Sequence, residues 1–284
     1  EIIKGFFKFK TYFPKKIAIT YQFSSYWYYS KSGTKRRLED LTTDYFLIFS
    51  DLYKEYFGFI NTKFIVAGSV KNNQIKLSNK SRTEYDIMYI SEFRKPVRPY
   101  YDGSNNMFSS MTLQESCSSF VMRILKTYCE KNNKKLCIAT TSTREDKIHN
   151  SKMNLKDELE FYKRDYNNFY IENIDSYNLA NKSNLIICLT SNLGPELLAR
   201  RKKVLFLNIH HFFGLNWPFL PNDQEEGVFW YKGQDKEKIS NKIDYLIKLD
   251  ERDWLKELEK TDFDMPFDHQ NNILKKLIQN IKNG

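Results

Sequence analysis

Residues 184–208, NLIICLTSNLGPELLARRKKVLFLN, constrain the fold of this chain more than any other stretch. Leu185 to Leu189 is an unbroken apolar run, too short to span a membrane and of the right length for a strand buried on both faces. Thr190, Ser191, Asn192 and Gly194 interrupt it with small polar or flexible residues. Pro195 suits the first position of a helix, where its missing N–H costs nothing, and Glu196 to Arg201 reads as its continuation. Arg200, Arg201, Lys202 and Lys203 then place cations where the helix dipole is negative. Val204 to Leu207 is a second buried strand. Strand, small-residue loop, short helix and strand together aim a helix N-terminus out of the carboxyl end of a parallel sheet, where anions bind. Such units also occur in α/β proteins that bind nothing there.

The rest of the chain repeats the alternation. Lys16–Thr20, Tyr45–Ser50 and Phe64–Ala67 read as strands, with a helical turn or two over Leu52–Phe57. Val70–Arg82 is polar and reads as a domain boundary. Beyond it, strands are expected at 86–90, 136–139, 169–171 and 228–231. Helices are expected at about 112–131, from the capping box Thr112-Leu113-Gln114-Glu115, and at 154–164, 175–180, 236–249, 251–260 and 270–281. Strands alternating with helices mean βαβ units and a mainly parallel sheet. The expected domains are 1–80, 81–264, and a terminal helix at 265–284 packing back on the first.

Composition narrows the function. A net charge of +10 fits nucleic acid, anionic lipid or a phosphorylated substrate, but the basic residues are spread along the chain and no RNP, KH or zinc-finger signature is present. Cys117, Cys129, Cys137 and Cys188 form no CxxC pair and read as core residues, not disulfides or metal ligands. His149, His210, His211 and His269 are too scattered to complete a zinc site. No run approaches the ~20 apolar residues of a membrane span, and no signal-peptide pattern opens the chain. With Glu1 in place of Met, a trimmed or processed N-terminus is expected.

In an open α/β sheet, ligands bind beyond the carboxyl ends of the strands. The expected exit loops carry Ser91, Arg94 and Lys95; Thr140, Ser142 and Arg144; Glu172, Asn173 and Asp175; Thr190, Ser191, Asn192, Gly194 and Glu196; and His210 and His211. Arginine holds phosphate bidentately, hydroxyls and helix N–H groups complete an anion cradle, and a carboxylate binds sugar hydroxyls. Taken singly, each has a bland reading: Arg94 and Arg144 as solvated cations, Ser191 as an N-cap, Glu196 as a first-turn dipole partner.

The segment Ser176–Asn208, with Thr190-Ser191-Asn192-Leu193-Gly194-Pro195-Glu196 at its centre, resembles the donor site of bacterial GT-B glycosyltransferases of surface-carbohydrate synthesis. Those often read Ser-Ser/Thr-x-Gly-x-Glu, then a short helix and a hydrophobic strand. Phe64–Asn73, Phe229-Trp230 and Asp268-His269-Gln270-Asn271-Asn272 are similar to other parts of the family. The resemblance implies two Rossmann-like domains with parallel sheets facing a cleft, the N-terminal one short. It implies that Ser191 and Asn192 hold donor phosphate and Glu196 holds nucleotide or sugar hydroxyls. Asn192 stands where Ser or Thr is usual, and Pro195 where Tyr is common. Gln22-Phe23-Ser24 stands where relatives carry Gln-His-Gly, whose His is a base.

The expectation is therefore an α/β glycosyltransferase that moves a sugar from a nucleotide-activated donor, with a CMP-linked acidic sugar as one option, to a surface-glycan or glycolipid acceptor. It needs no metal or other cofactor and no nucleic acid. The expected location is cytoplasmic, with peripheral association at the inner membrane face left open. Glu115 and His211 are the candidates for taking the acceptor proton. The rivals are a nucleotide-sugar epimerase, a polyol-phosphate transferase of related fold, a basic nucleic-acid-binding protein and an inactive scaffold subunit. Oligomeric state is not legible.

Overall fold

The computed structural model describes residues 10, 12–22, 42–58, 60–77, 82–93, 110–141, 155–209, 219–221 and 223–283, with side chains of the third helix from residue 116 onward. The chain divides into two compact units, one made of Glu1–Lys76, Trp217–Pro221 and Glu259–Gly284, the other of Leu77–Asn216 and Asn222–Leu258.

In the first unit, β1 (Ile19–Tyr21), β2 (Thr42–Ile48) and β3 (Asn61–Val66) form a parallel sheet in that order. Helix α1 (Tyr53–Phe57) lies between β2 and β3 in the chain, and Phe57 meets Phe46 edge-on at 5.0 Å. The polar stretch after β3 is partly helical: α2 (Val70–Gln74) is capped by Ser69, whose side chain accepts from the Asn72 N–H. Asn72 and Asn73 are buried, which a count of polar residues does not reveal.

The buried amides join α2 to the end of the chain. Asn73 donates to the Ala67 carbonyl at 2.8 Å and to Asn271 Oδ1 at 3.0 Å, and accepts from the Asp268 N–H at 3.0 Å. Asn271 donates to the Val70 carbonyl at 2.9 Å. A 3-10 turn, His269–Asn271, precedes α9 (Asn272–Asn283), so the terminal helix starts two residues after Gln270. Gln270 and Asn271 have φ of 61° and 55°, and Asp268 Oδ2 accepts from the Ile273 N–H at 2.8 Å.

The second unit starts at β4 (Tyr85–Ile90), α3 (Ser110–Asn132), β5 (Leu136–Ala139), α4 (Leu155–Lys163) and α5 (Ser176–Asn181). It continues with β6 (Ser183–Cys188), α6 (Leu193–Ala199), β7 (Val204–Leu207), β8 (Glu226–Gly227) and β9 (Trp230–Tyr231). Helices α7 (Lys236–Lys248) and α8 (Glu251–Glu259) close it. The sheet order is β5-β4-β6-β7-β9-β8, parallel except for the edge strand β8. The expected strand at 169–171 is a single parallel bridge, Tyr170 to Cys137, on the outer side of β5. With Tyr170 counted, chain order across the parallel sheet reads third, second, first, fourth, fifth, sixth, the order of doubly wound dinucleotide-binding folds. The switch point falls between β4 and β6. The expected strand at 228–231 is shortened to β9, which pairs antiparallel with β8 across a turn at Val228-Phe229.

β6 lies inside the sheet, parallel to β4 and β7, and residues Leu185 to Leu189 are at most 1% exposed. The four cysteines are free and buried. Burial pushes the thiol of Cys117 up to about 11 and those of Cys129 and Cys137 up to about 12, so they stay protonated.

Gly68 has φ of 67°, and a Cβ there would lie 2.1 Å from the Pro266 carbonyl oxygen. Gly68→Ala is expected to lower the unfolding free energy by about 2 kcal/mol or more, the left-handed penalty added to overpacking. Urea unfolding checks this; parent-like stability would mean that the Pro266 segment does not rest on Gly68.

Candidate functional site

The carboxyl edge of the second unit's sheet is held together by two buried glutamates. Glu92, just beyond β4, accepts a hydrogen bond from the Thr190 N–H, just beyond β6. The contact spans the switch point. Glu158 on α4 is fully buried and its Oε1 accepts from the Ser91 hydroxyl and from the Thr141 N–H at 3.0 Å. The Thr141 hydroxyl lies 3.2 Å from Glu158 Oε2 and 3.3 Å from the Phe93 carbonyl. Tyr162, one turn along α4, lies 2.8 Å from Ser91 Oγ, which also accepts from the Phe93 N–H at 3.2 Å. Burial drives the Tyr162 and Tyr89 hydroxyls well above their ordinary range, so both stay protonated and donate. Burial, then the charge of Glu92, likewise raises the Cys188 thiol.

The Thr190–Glu196 segment folds differently from its expected form. Helix α6 begins at Leu193, two residues before Pro195, with Asn192 as cap and no side-chain capping bond. Ser191 Oγ accepts from the Leu193 N–H at 3.3 Å, and the Ser191 carbonyl accepts from Gly194 N at 3.0 Å and from Cys188 Sγ at 3.4 Å. The helix stops at Ala199. Arg201 N–H bonds to the Leu198 carbonyl at 2.8 Å and Lys202 N–H to the Leu197 carbonyl at 3.1 Å, a Schellman motif with Arg201 at φ of 65°. The cations expected on the last turn of α6 therefore serve other elements. Lys203 Nζ donates to the Leu246 and Leu249 carbonyls at the end of α7, at 3.0 and 2.9 Å. Lys202 Nζ donates to Asn181 Oδ1 at 2.8 Å.

Glu196 is 5% exposed and its Oε2 accepts from the Tyr177 hydroxyl at 2.5 Å. The Arg200 guanidinium sits 5.6 Å from the centroid of the Tyr177 ring. Burial lowers the Arg200 pKa, against the pull of Tyr177 and Glu196. Gly194 is buried, and a Cβ on it would lie 2.5 Å from Cys188 Sγ and 2.8 Å from Phe206 Cε1. Its missing side chain lets α6 rest on β6 and β7, a packing reason independent of any ligand.

The structure thus brings together Ser91, Thr190, Ser191, Asn192, Gly194 and Glu196 in loops and helices at the carboxyl ends of β4 and β6. Two other expected carboxylates are spent elsewhere. Asp175 caps α5 through the Tyr177 and Asn178 N–H groups, both at 3.1 Å. Glu172 pairs with Lys182 at 2.8 Å and with the Tyr85 hydroxyl, at the amino ends of β6 and β4. Arg94, Lys95, Ser142, Arg144, His210 and His211 lie outside the described residues, as does the Glu115 side chain. Gln22 is buried and accepts the Phe49 N–H at 2.9 Å.

Glu92, Glu158 and Tyr177 were missed by sequence reasoning. Glu158 carried a readable signal: with Leu155, Phe161 and Tyr162 it falls on the inward stripe of an amphipathic helix, where an acidic residue is out of place. Lys232, directly after β9, is also buried, which lowers its pKa against the opposing pull of Asp223.

A family model described as "putative O-antigen biosynthesis protein" matches residues 28–282. The chain belongs to this family. No curated protein matches it. Among solved structures it is similar to the wall teichoic acid polymerase TagF, with 12% identity, a TM-score of 0.48, and coverage of 88% of this chain and 59% of that one. A variant of TagF soaked with CDPG gives 12% identity, a TM-score of 0.48, and coverage of 91% and 64%. The chain spans about three fifths of the length of those structures. In this member of the O-antigen biosynthesis family, no helix among the described residues is long and apolar enough to cross a membrane. Nor do the described residues hold a group of three or more His, Cys, Asp or Glu able to bind a metal.

Gly194→Ala is expected to destabilise the protein by about 1–3 kcal/mol, as overpacking does. Thermal unfolding checks this, and unchanged stability would remove the packing explanation for this glycine.

Proposed function

We propose that the protein is a metal-independent glycosyltransferase of GT-B type that moves a sugar from a nucleotide-activated donor to a surface-glycan acceptor. The observation that carries the reading is the switch point of the second unit. In a member of an O-antigen biosynthesis family, polar residues from the β4 and β6 loops meet where doubly wound sheets bind nucleotides. Sugar polymers are built from activated sugars, so a nucleotide-binding sheet suits the family.

In this reading Thr190, Ser191 and Asn192, with the backbone around Gly194, hold the donor phosphates, and Ser91 borders them. Arg94 and Arg144 neutralise the charge that develops on the leaving phosphate. The acceptor hydroxyl attacks the anomeric carbon, the bond from that carbon to the phosphate oxygen breaks, and the nucleotide leaves. Glu115 or His211 takes the acceptor proton. Glu196, fixed through Tyr177, accepts hydrogen bonds from nucleotide or sugar hydroxyls. A CMP-linked acidic sugar as donor and a glycolipid as acceptor suit the basic balance of the chain.

A thermal-shift panel of CMP, UDP, GDP and ADP tests the donor site. The product nucleotide at about 100 times its dissociation constant adds about 2.7 kcal/mol of stability. Glu196→Gln keeps an acceptor for Tyr177 and is expected to cost only about 1 kcal/mol of stability. Its nucleotide-sugar affinity should fall ten-fold or more, and transfer at least as far. Lower stability with parent-like donor affinity would leave Glu196 as a partner of Tyr177 alone.

A further inference from the structure

We propose that Glu158 is a positioning residue of the donor site, setting the roots of the β4 and β5 exit loops beside the β6 loop. The inference rests on the donor-site reading above. Glu158 is fully buried and touches both loops: Ser91 on the first, and the backbone and hydroxyl of Thr141 on the second. The loops also meet each other, through the Thr141 hydroxyl and the Phe93 carbonyl and through the Ser91 N–H and the Ala139 carbonyl at 3.0 Å. Tyr162 donates to Ser91 from the same helix, so α4 grips the β4 loop at two points. Glu92, next to Ser91 in the β4 loop, accepts from the Thr190 N–H, so the root that Glu158 grips adjoins the loop assigned to the donor phosphates. A displacement of about 1 Å at a binding or reacting centre costs orders of magnitude in rate, so the grip on these roots bears directly on function.

The hydrogen-bond pattern separates positioning from charge. In Glu158→Gln the amide oxygen can keep the Ser91 and Thr141 N–H bonds. Its NH2 can donate to the Thr141 hydroxyl, whose own hydrogen then goes to the Phe93 carbonyl. Glu158→Ala loses all of these bonds. Both variants are to be titrated with whichever of CMP, UDP, GDP and ADP binds the parent, and hydrogen exchange is to be followed at the Phe93 and Thr141 amides. Glu158→Ala is expected to bind nucleotide at least ten-fold more weakly and to exchange faster at both amides. Glu158→Gln should stay within about two-fold of the parent, since the bonds it keeps are those that set the geometry. If Glu158→Ala does not unfold cooperatively, Thr141→Val, which keeps the N–H bond, replaces it with an expected loss of three-fold or more. Parent-like affinity in Glu158→Ala, or in Thr141→Val where that variant stands in, overturns the inference. So does a loss in Glu158→Gln as large as in Glu158→Ala, because the charge itself would then be what the ligand meets. Failure of the parent to bind any of the four nucleotides overturns the donor-site reading and this inference with it, and differs visibly from a loss confined to the variants.

Discussion

Two carboxylates buried at one edge of a sheet set the terms for the second unit. Removing a carboxylate from water costs several kcal/mol even after the protein relaxes, and that cost is offset only by hydrogen bonds of good geometry. Glu158 meets it with the Ser91 hydroxyl and the N–H and hydroxyl of Thr141, while one oxygen of Glu92 accepts from the Thr190 N–H. The donors come from the exit loops of three neighbouring strands, so the loops are pinned to each other and to α4. The pinning lies at the carboxyl edge, where the strand order reverses and where open α/β sheets bind ligands. The same set of bonds stabilises the fold and fixes the loops at this edge.

The first unit solves a different problem with neutral groups. Its chain end returns to α2 through Asn73 and Asn271, which share one hydrogen bond and satisfy three backbone groups besides. Amides suit this place because each both donates and accepts, and because Asn tolerates the left-handed backbone that Asn271 adopts. Gly68 allows the Pro266 segment to lie against the backbone, a closeness that any side chain would prevent.

Helix α6 shows how motif-level reasoning goes astray while the architecture stays right. Strand, loop, helix and strand are all present between β6 and β7. The bounds of the helix and the partners of its last cations differ from the expected ones. Pro195 lies inside the first turn and Gly194 serves packing. The basic run Arg200–Lys203 supports neighbours: Lys203 caps α7, and the Arg201 carbonyl accepts from the Trp254 indole at 2.9 Å. A helix of seven residues leaves little room between its ends, and whether its last cations complement its own dipole or another helix depends on what lies beside it.

The sequence alone determined that the chain is α/β with parallel sheets, that Leu185–Leu189 is an interior strand, that the four cysteines are core residues, and that Thr190–Glu196 joins two buried strands. All of these follow from periodicity, from apolar run length and from the intrinsic preferences of Gly, Pro and Asn, properties of neighbouring residues that need no knowledge of the fold. Only the tertiary structure decided that Glu92 and Glu158 are buried and what satisfies them. It alone assigned Asp175 to a cap and Glu172 to Lys182, and gave Glu196 to Tyr177. The helix within Val70–Gln74 was illegible for the same reason: two adjacent asparagines read as solvated, and it took a partner 198 residues away to bury one of them. A carboxylate or an amide has the same local signature exposed or buried. Its environment is made by donors distant in sequence, 67 residues for Ser91 and Glu158 and 98 for Glu92 and Thr190, and the chain brings them together only by folding.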